Sequence, residues 1–185
     1  MTYDQFTVKA QECILEGQRI AESLGQQIVD TPHLLKGVML TESGVADFLL
    51  KKSGVNAASI KLELDKLLQT YPRVQGDVKQ VLSNEANQSL ARAKNMLKDF
   101  GDDYISMELI LLGLLTGNDK TAQLLKNAGA TEAGVKNAIK ELRKGRTVTE
   151  QGAETTYNAL GKYAVNLNER AENGELDPIV GRDDE

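Results

Sequence analysis

The two residue types with the widest chemical range occur once each in this 185-residue sequence, as His33 and Cys13. A zinc site draws four ligands from Cys, His and carboxylates, and one of each of the first two cannot supply a set. A Ser-His-Asp relay needs a base next to a nucleophile with a third group behind it, and no local pattern supports one. No Gly-x4-Gly-Lys-Ser/Thr run occurs, so the backbone cradle, lysine and Mg²⁺-binding hydroxyl of a phosphate loop are missing. The chain itself is expected to be no enzyme, with no catalytic, metal or cofactor group of its own. A net charge of −5, 4% aromatic residues and no Trp argue against a nucleic-acid face. A lone cysteine closes no intrachain disulfide, which points to a reducing, cytoplasmic setting. The N-terminus lacks the pattern of a signal peptide, and no apolar run approaches the roughly 20 residues of a membrane span. A binding surface is what remains, and its position depends on the elements.

Those elements come in two copies. Sliding the sequence on itself by 76 residues places Phe6, Ala10, Ile14, Gly17, Ile20 and Leu24 on Leu82, Ala86, Leu90, Ala93, Met96 and Phe100. The steps of three and four are the apolar stripe of a helix. Gly25 then meets Gly101, Leu35 meets Leu111 and Gly37 meets Gly113; after a one-residue slip, Gly54 meets Gly129 and Lys61 meets Lys136. Cys13 aligns with Ser89 and His33 with Leu109. A small residue in a crowded helix seam and a packed or partly exposed helix histidine explain the first members of these pairs without chemistry.

Punctuation within each copy predicts four helices. Gly25 and Gly101 sit where a left-handed residue ends the long first helix. Asp30 and Ser106 are placed to cap the next one, with Pro32 in its first turn. Ser53-Gly54 and Ala128-Gly129 close the third, and Asn56 and Thr131 cap the fourth. The expected fold is all-α, a pseudo-twofold bundle of two four-helix repeats at about 3–70 and 78–144, joined by the turn-bearing Tyr71–Asp77 connector. With 41% hydrophobic and 26% charged residues the composition suits such a core. Residues 145–175 read as a flexible linker carrying one amphipathic helix, with Tyr157, Leu160, Tyr163, Ala164, Leu167 and Ala171 at helical spacing, and 176–185 as the truncated start of a further domain.

The duplicated half, with its segments IVDTPHLLKGVML and YISMELILLGLL, and the ending LDPIVGRDDE resemble the Clp family of ring-forming AAA+ chaperones, most closely its disaggregase branch. The approach QGAETTYNALGKYAVNLNERAENGE carries the more specific part of the likeness. The resemblance implies a substrate-recognition N-terminal domain that binds exposed apolar segments of unfolded or aggregated polypeptides. These would pass to the pore of a homohexameric ATPase ring, which uses ATP and Mg²⁺ and cooperates with the DnaK chaperone system. The fragment alone would be monomeric. The alternative is an adaptor-docking domain of a ClpC- or ClpA-like protease unfoldase. Three positions match the family's binding residues: Thr7, Asp102 in the Gly-Asp turn before the sixth helix, and Glu108 in that helix's first turn. Thr7 could instead bond to a helix carbonyl, Asp102 could serve its turn as an Asx residue, and Glu108 could favour the positive helix N-terminus. Asp102 and Glu108 face Gln26 and Pro32 in the other repeat, and this one-sidedness leans towards function. Val78 and Val81 are added as rim residues. Ile179 and Val180 match positions that pack on adenine in the full-length family members.

Overall fold

The computed structural model describes residues 2–41 and 44–153. The first repeat consists of α1 (Val8–Ser23), a two-residue strand β1 (Ile28–Val29), α2 (Thr31–Leu40), α3 (Val45–Lys52) and α4 (Ala57–Gln69). The second consists of β2 (Val81–Leu82), α5 (Asn84–Asn95), α6 (Leu97–Phe100), α7 (Met107–Leu115), α8 (Lys120–Asn127) and α9 (Glu132–Arg143). The expected all-α repeat fold is present. One expected helix is divided, because Met96 donates its N–H to Ala93 and Asp99 donates to Met96, both three residues back. Such tighter bonds break the α-helical ladder between α5 and α6, whereas α1 runs unbroken. The helix expected as the sixth is therefore α7.

Helix ends follow local chemistry. Gly25 and Gly101 both adopt left-handed backbone, at φ of 68° and 66°, and turn the chain out of the first helix of each repeat. Asp30 and Ser106 cap α2 and α7, and Asn56 and Thr131 cap α4 and α9, each accepting backbone N–H bonds of the first turn. A helix buried on every side belongs at the centre of a bundle. All of Met107–Leu115 is buried, as is α2 apart from Lys36 and Leu40.

Each central helix crosses the first helix of its own repeat at a glycine. A Cβ on Gly37 would stand 2.2 Å from the Cys13 carbonyl oxygen, and one on Gly113 would stand 2.2 Å from that of Ser89. These are matching positions of the two repeats. Backbone meets backbone here, so no side chain can give way.

The repeats also clasp each other. Ile28 and Val29 of β1 pair in parallel with Val81 and Leu82 of β2. A parallel bridge between Phe6 and Ile105 is the image of the Val29–Leu82 pair with the repeats exchanged. Thr7 N–H donates to Ile105 O at 3.0 Å, and Ser83 N–H donates to Val29 O at 2.9 Å. The segment before α1 is thus held by the second repeat, and the segment before α5 by the first.

Beyond α9 the packed unit continues past the boundary expected at residue 144. Val148 is fully buried and joins the hydrophobic core. For residues 145–153 the expectation of a linker independent of the bundle is corrected on that ground. The amphipathic stretch at 157–171 and the segment 176–185 lie outside the described residues.

The glycine crossings give the first test. Gly113→Ala should destabilise the domain by about 2 kcal/mol or more, since the helices must separate to admit the methyl group. Gly152→Ala, which meets nothing within 4 Å, should shift stability by less than about 0.5 kcal/mol. Urea titrations of the two variants check this, and equal stability would remove the close crossing as the constraint.

Candidate functional site

Thr7, Asp102 and Glu108 gather around the Phe6–Ile105 bridge, and all three are interior, at 0%, 7% and 0% exposure. Thr7 is the N-cap of α1, its hydroxyl accepting from Ala10 N at 3.1 Å. Asp102 and Glu108 are held by a residue the sequence reading did not single out, Arg143, in the last turn of α9. Its Nη1 donates to both carboxylate oxygens of Asp102, at 2.9 and 2.8 Å. Its Nη2 and Nε donate to Glu108 Oε2 at 3.0 and 3.3 Å, and Nη2 also reaches Ser106 Oγ at 3.0 Å. The guanidinium carbon lies 5.1 Å from the centre of the Phe100 ring. Asp102 Oδ1 accepts one further bond, from Val148 N at 2.9 Å.

One guanidinium between two buried carboxylates leaves this cluster short of positive charge. Burial raises the Asp102 carboxyl above its usual range, although the Val148 N–H and Arg143 act in the opposite direction. The cluster is a structural clasp between the Gly101 turn and the end of α9.

The first repeat makes the same clasp with neutral groups. Gln26, which aligns with Asp102, donates its Nε2–H to the carbonyl of Leu68 at 2.8 Å, and Leu68 aligns with Arg143. Gln26 Oε1 accepts from His33 Nε2 at 2.6 Å, and His33 Nδ1 accepts from Asp30 N–H at 3.0 Å. These two bonds together require the neutral imidazole with its proton on Nε2. Burial lowers the His33 pKa to about 4, against the pull of Asp30. Tyr71 donates to Asp30 at 2.6 Å and packs edge-on against His33, with ring centres 5.4 Å apart. Burial and the Asp30 bond push the Tyr71 hydroxyl above its normal range. His33 is thus a packed, hydrogen-bonded core group, as its alignment with Leu109 suggests.

Val78 and Val81 belong to the image of this place. Val81 is 47% exposed beside Ile28 on β1, and Val78 is half-buried. Around Thr7 the exposed apolar residues are its sequence neighbours Tyr3 and Val8, at 48% and 47%. A separate groove of about 630 Å³ between α4 and α8, floored by Ile60, Leu67, Leu124 and Ala128, includes none of the five expected binding residues. Ile179 and Val180 lie outside the described residues. Arg143 had a signal in the sequence: it is a charged residue aligned with the apolar core position Leu68.

A duplicated helical bundle with a reciprocal clasp defines a class of domain, and the comparisons agree with it. Residues 5–128 match the family model of the Clp repeat (R) N-terminal domain, and the chain belongs to that family. It is 43% identical over 185 residues, 100% of its length, to the chaperone protein ClpB of Bacteroides thetaiotaomicron. It is 46% identical over 185 residues, again its whole length, to ClpB of Porphyromonas gingivalis. The chain spans about a fifth, 21%, of each of these relatives. Among solved structures, the N-terminal domain of Hsp104 from Candida albicans matches with a TM-score of 0.67 at 20% identity, over 80% of this chain and 98% of that one. That likeness shows the fold alone. The N-terminal domain of ClpD from Arabidopsis thaliana matches with a TM-score of 0.57 at 25% identity, over 76% and 99%.

Two predictions follow from the clasps. Arg143→Met leaves two buried carboxylates facing each other and should cost about 3–5 kcal/mol, while Asp102→Asn and Glu108→Gln added to it should restore more than half of that loss. Chemical denaturation of the single and triple variants decides it, and a single-variant loss below 1 kcal/mol would show that the clasp carries little. For His33 the folded pKa lies below the unfolded value of 6.5, so its contribution to stability is complete above 6.5 and declines as pH falls towards about 4. Between pH 6.5 and 5, stability should fall with a slope approaching 1.4 kcal/mol per pH unit. His33→Gln should flatten that slope; an unchanged slope would assign the loss to other groups.

Proposed function

We propose that this chain is the substrate-receiving N-terminal domain of a longer AAA+ ATPase, binding exposed apolar segments of unfolded or aggregated polypeptides and delivering them to the pore of a hexameric ring. One observation carries the reading. Thr7, Asp102 and Glu108, far apart in sequence, converge on the bridge between the repeats, where Tyr3 and Val8 leave apolar surface exposed. The whole-length likeness to ClpB chaperones supports it. Direct contacts fall to the exposed residues, Val8 here and Val81, with Val78 at its edge, at the image site. Thr7 and Glu108 act from beneath by fixing the α1 N-terminus and the turn that frame the surface, and Asp102 Oδ1 offers an acceptor to the backbone that crosses it. Weak binding at six copies above one pore would gain from avidity.

ATP hydrolysis belongs, in this reading, to the longer protein. The 185 residues contain no Gly-x4-Gly-Lys-Ser/Thr run. Ile179 and Val180 would contribute an apolar contact to adenine there. Cooperation with DnaK and a cytosolic location are part of the same proposal. No helix among the described residues is long and apolar enough to cross a membrane.

Fluorescence titration with a reduced, carboxymethylated model protein tests the binding surface. Val8→Asp with Val81→Asp should weaken binding at least five-fold, with the melting temperature moving by no more than a few degrees, because both side chains are about half exposed. Unchanged affinity in the double variant would refute the surface assignment.

A further inference from the structure

The segment 145–153 that follows α9 runs past the Gly101–Asp102 turn to the N-terminus of α1. Thr147 passes over the Gly101 turn, with its Cγ2 3.6 Å from where a Cβ on that glycine would stand. Val148 donates its N–H to Asp102 Oδ1 at 2.9 Å, accepts from Asp103 N–H at 2.8 Å and is fully buried. Gln151 accepts with its carbonyl from Val8 N–H at 3.0 Å, and its Nε2 donates to Asp4 O at 3.1 Å. Between two turns, closed by Arg146 N–H on Arg143 O and Ala153 N–H on Glu150 O, the segment is held as a guest polypeptide would be: backbone groups donate and accept on the host, and one apolar side chain is buried in its core.

We propose that residues 145–153 form an intramolecular strap that occupies the substrate site and must leave Asp102 and the α1 N-terminus before another polypeptide enters. This rests on the functional reading given above. The strap accounts for the near-complete burial of Asp102 and for the partner of the Val8 N–H, which the start of a helix would otherwise leave to solvent. It also defines the guest: an extended segment with a β-branched or similar apolar residue in the place of Val148 and polar neighbours.

The first repeat shows why the strap differs from an ordinary connection. Its counterpart, the connector after α4, runs over Gly25 in the same way, with Val74 N–H donating to Gly25 O at 2.7 Å. That connector leads into β2 and passes Gln26 rather than a carboxylate. Val74 keeps 39% exposure where Val148 has none. A side chain seated in a pocket and a backbone donor on a carboxylate are what a guest could replace.

Affinity for a guest is reduced by the fraction of molecules in which the strap is open. Opening it should raise affinity by the inverse of that fraction. Val148→Asp, and the milder Val148→Gly should the first not fold, are compared with the unaltered chain. Amide exchange is read at Val148, and binding is read with the reduced, carboxymethylated model protein. Exchange at residue 148 should accelerate at least ten-fold while α2 and α7 stay protected, and binding should tighten at least five-fold. If the unaltered chain binds the probe and the opened variants bind no tighter, the strap proposal is overturned and the functional reading stands. Slow exchange at 148 in both variants overturns it too, since a strap held without that side chain is no displaceable guest. If neither the unaltered chain nor the opened variants bind the probe, the functional reading falls and takes the strap with it.

Discussion

Two backbone-to-backbone contacts, Gly37 against Cys13 and Gly113 against Ser89, set the distances on which the rest of the domain depends. At these crossings the helices approach as closely as main chain allows. The central helices α2 and α7 can then be sheathed on all sides, which their nearly unbroken apolar sequences require. The short strands of the clasp lead towards the N-termini of the same two helices, so the reciprocal pairing of Val29 with Leu82 and of Phe6 with Ile105 joins the repeats beside their central pair.

Given that frame, each repeat has to tie its glycine turn to the end of its last helix, and the two have settled the matter with different chemistry. Gln26 reaches a backbone carbonyl and is steadied by a neutral histidine. Asp102 reaches a guanidinium that also serves Glu108. The neutral clasp avoids desolvating a charge. The ionic one carries that penalty, offset only while every partner remains in place, because removing one leaves an uncompensated charge in low dielectric.

Much of this was legible in the sequence because it is written in single residues with narrow conformational meaning. Gly25, Gly101, Asp30, Ser106, Asn56 and Thr131 mark helix ends by backbone preference and by capping, both of which act within a few positions. The repeat made each mark twice visible, and the Cys13–Ser89 match correctly announced a crowded seam. What escaped were features decided by distant contacts. The break at Met96 replaces one hydrogen-bond pattern by another of similar local cost. Arg143 reads as the charged last turn of an exposed helix until its alignment with Leu68 is noticed. Val148 stands in a stretch without periodicity, where a single buried residue leaves no pattern to detect. The burial of Thr7, Asp102 and Glu108 could not be read, because exposure depends on what crosses above them.

What crosses above them differs between the repeats in one respect that bears on function. A connector between two folded halves is constrained at both ends, and its departure would unpair the β1–β2 clasp that it leads into. The described part of the segment after α9 leads into neither strand, and it is anchored by the Val148 side chain, a bond to the Asp102 carboxylate, a few main-chain bonds and the Gln151 amide on the Asp4 and Phe6 carbonyls. A contact of that size is worth a few kcal/mol at most once the cost of ordering the segment is set against it. It is therefore of the same order as the affinity of a weak extended guest. On the strap proposal, two occupants of comparable strength and like chemistry, one tethered and one free, would make a site that is shielded when no client is present and yields when clients are abundant.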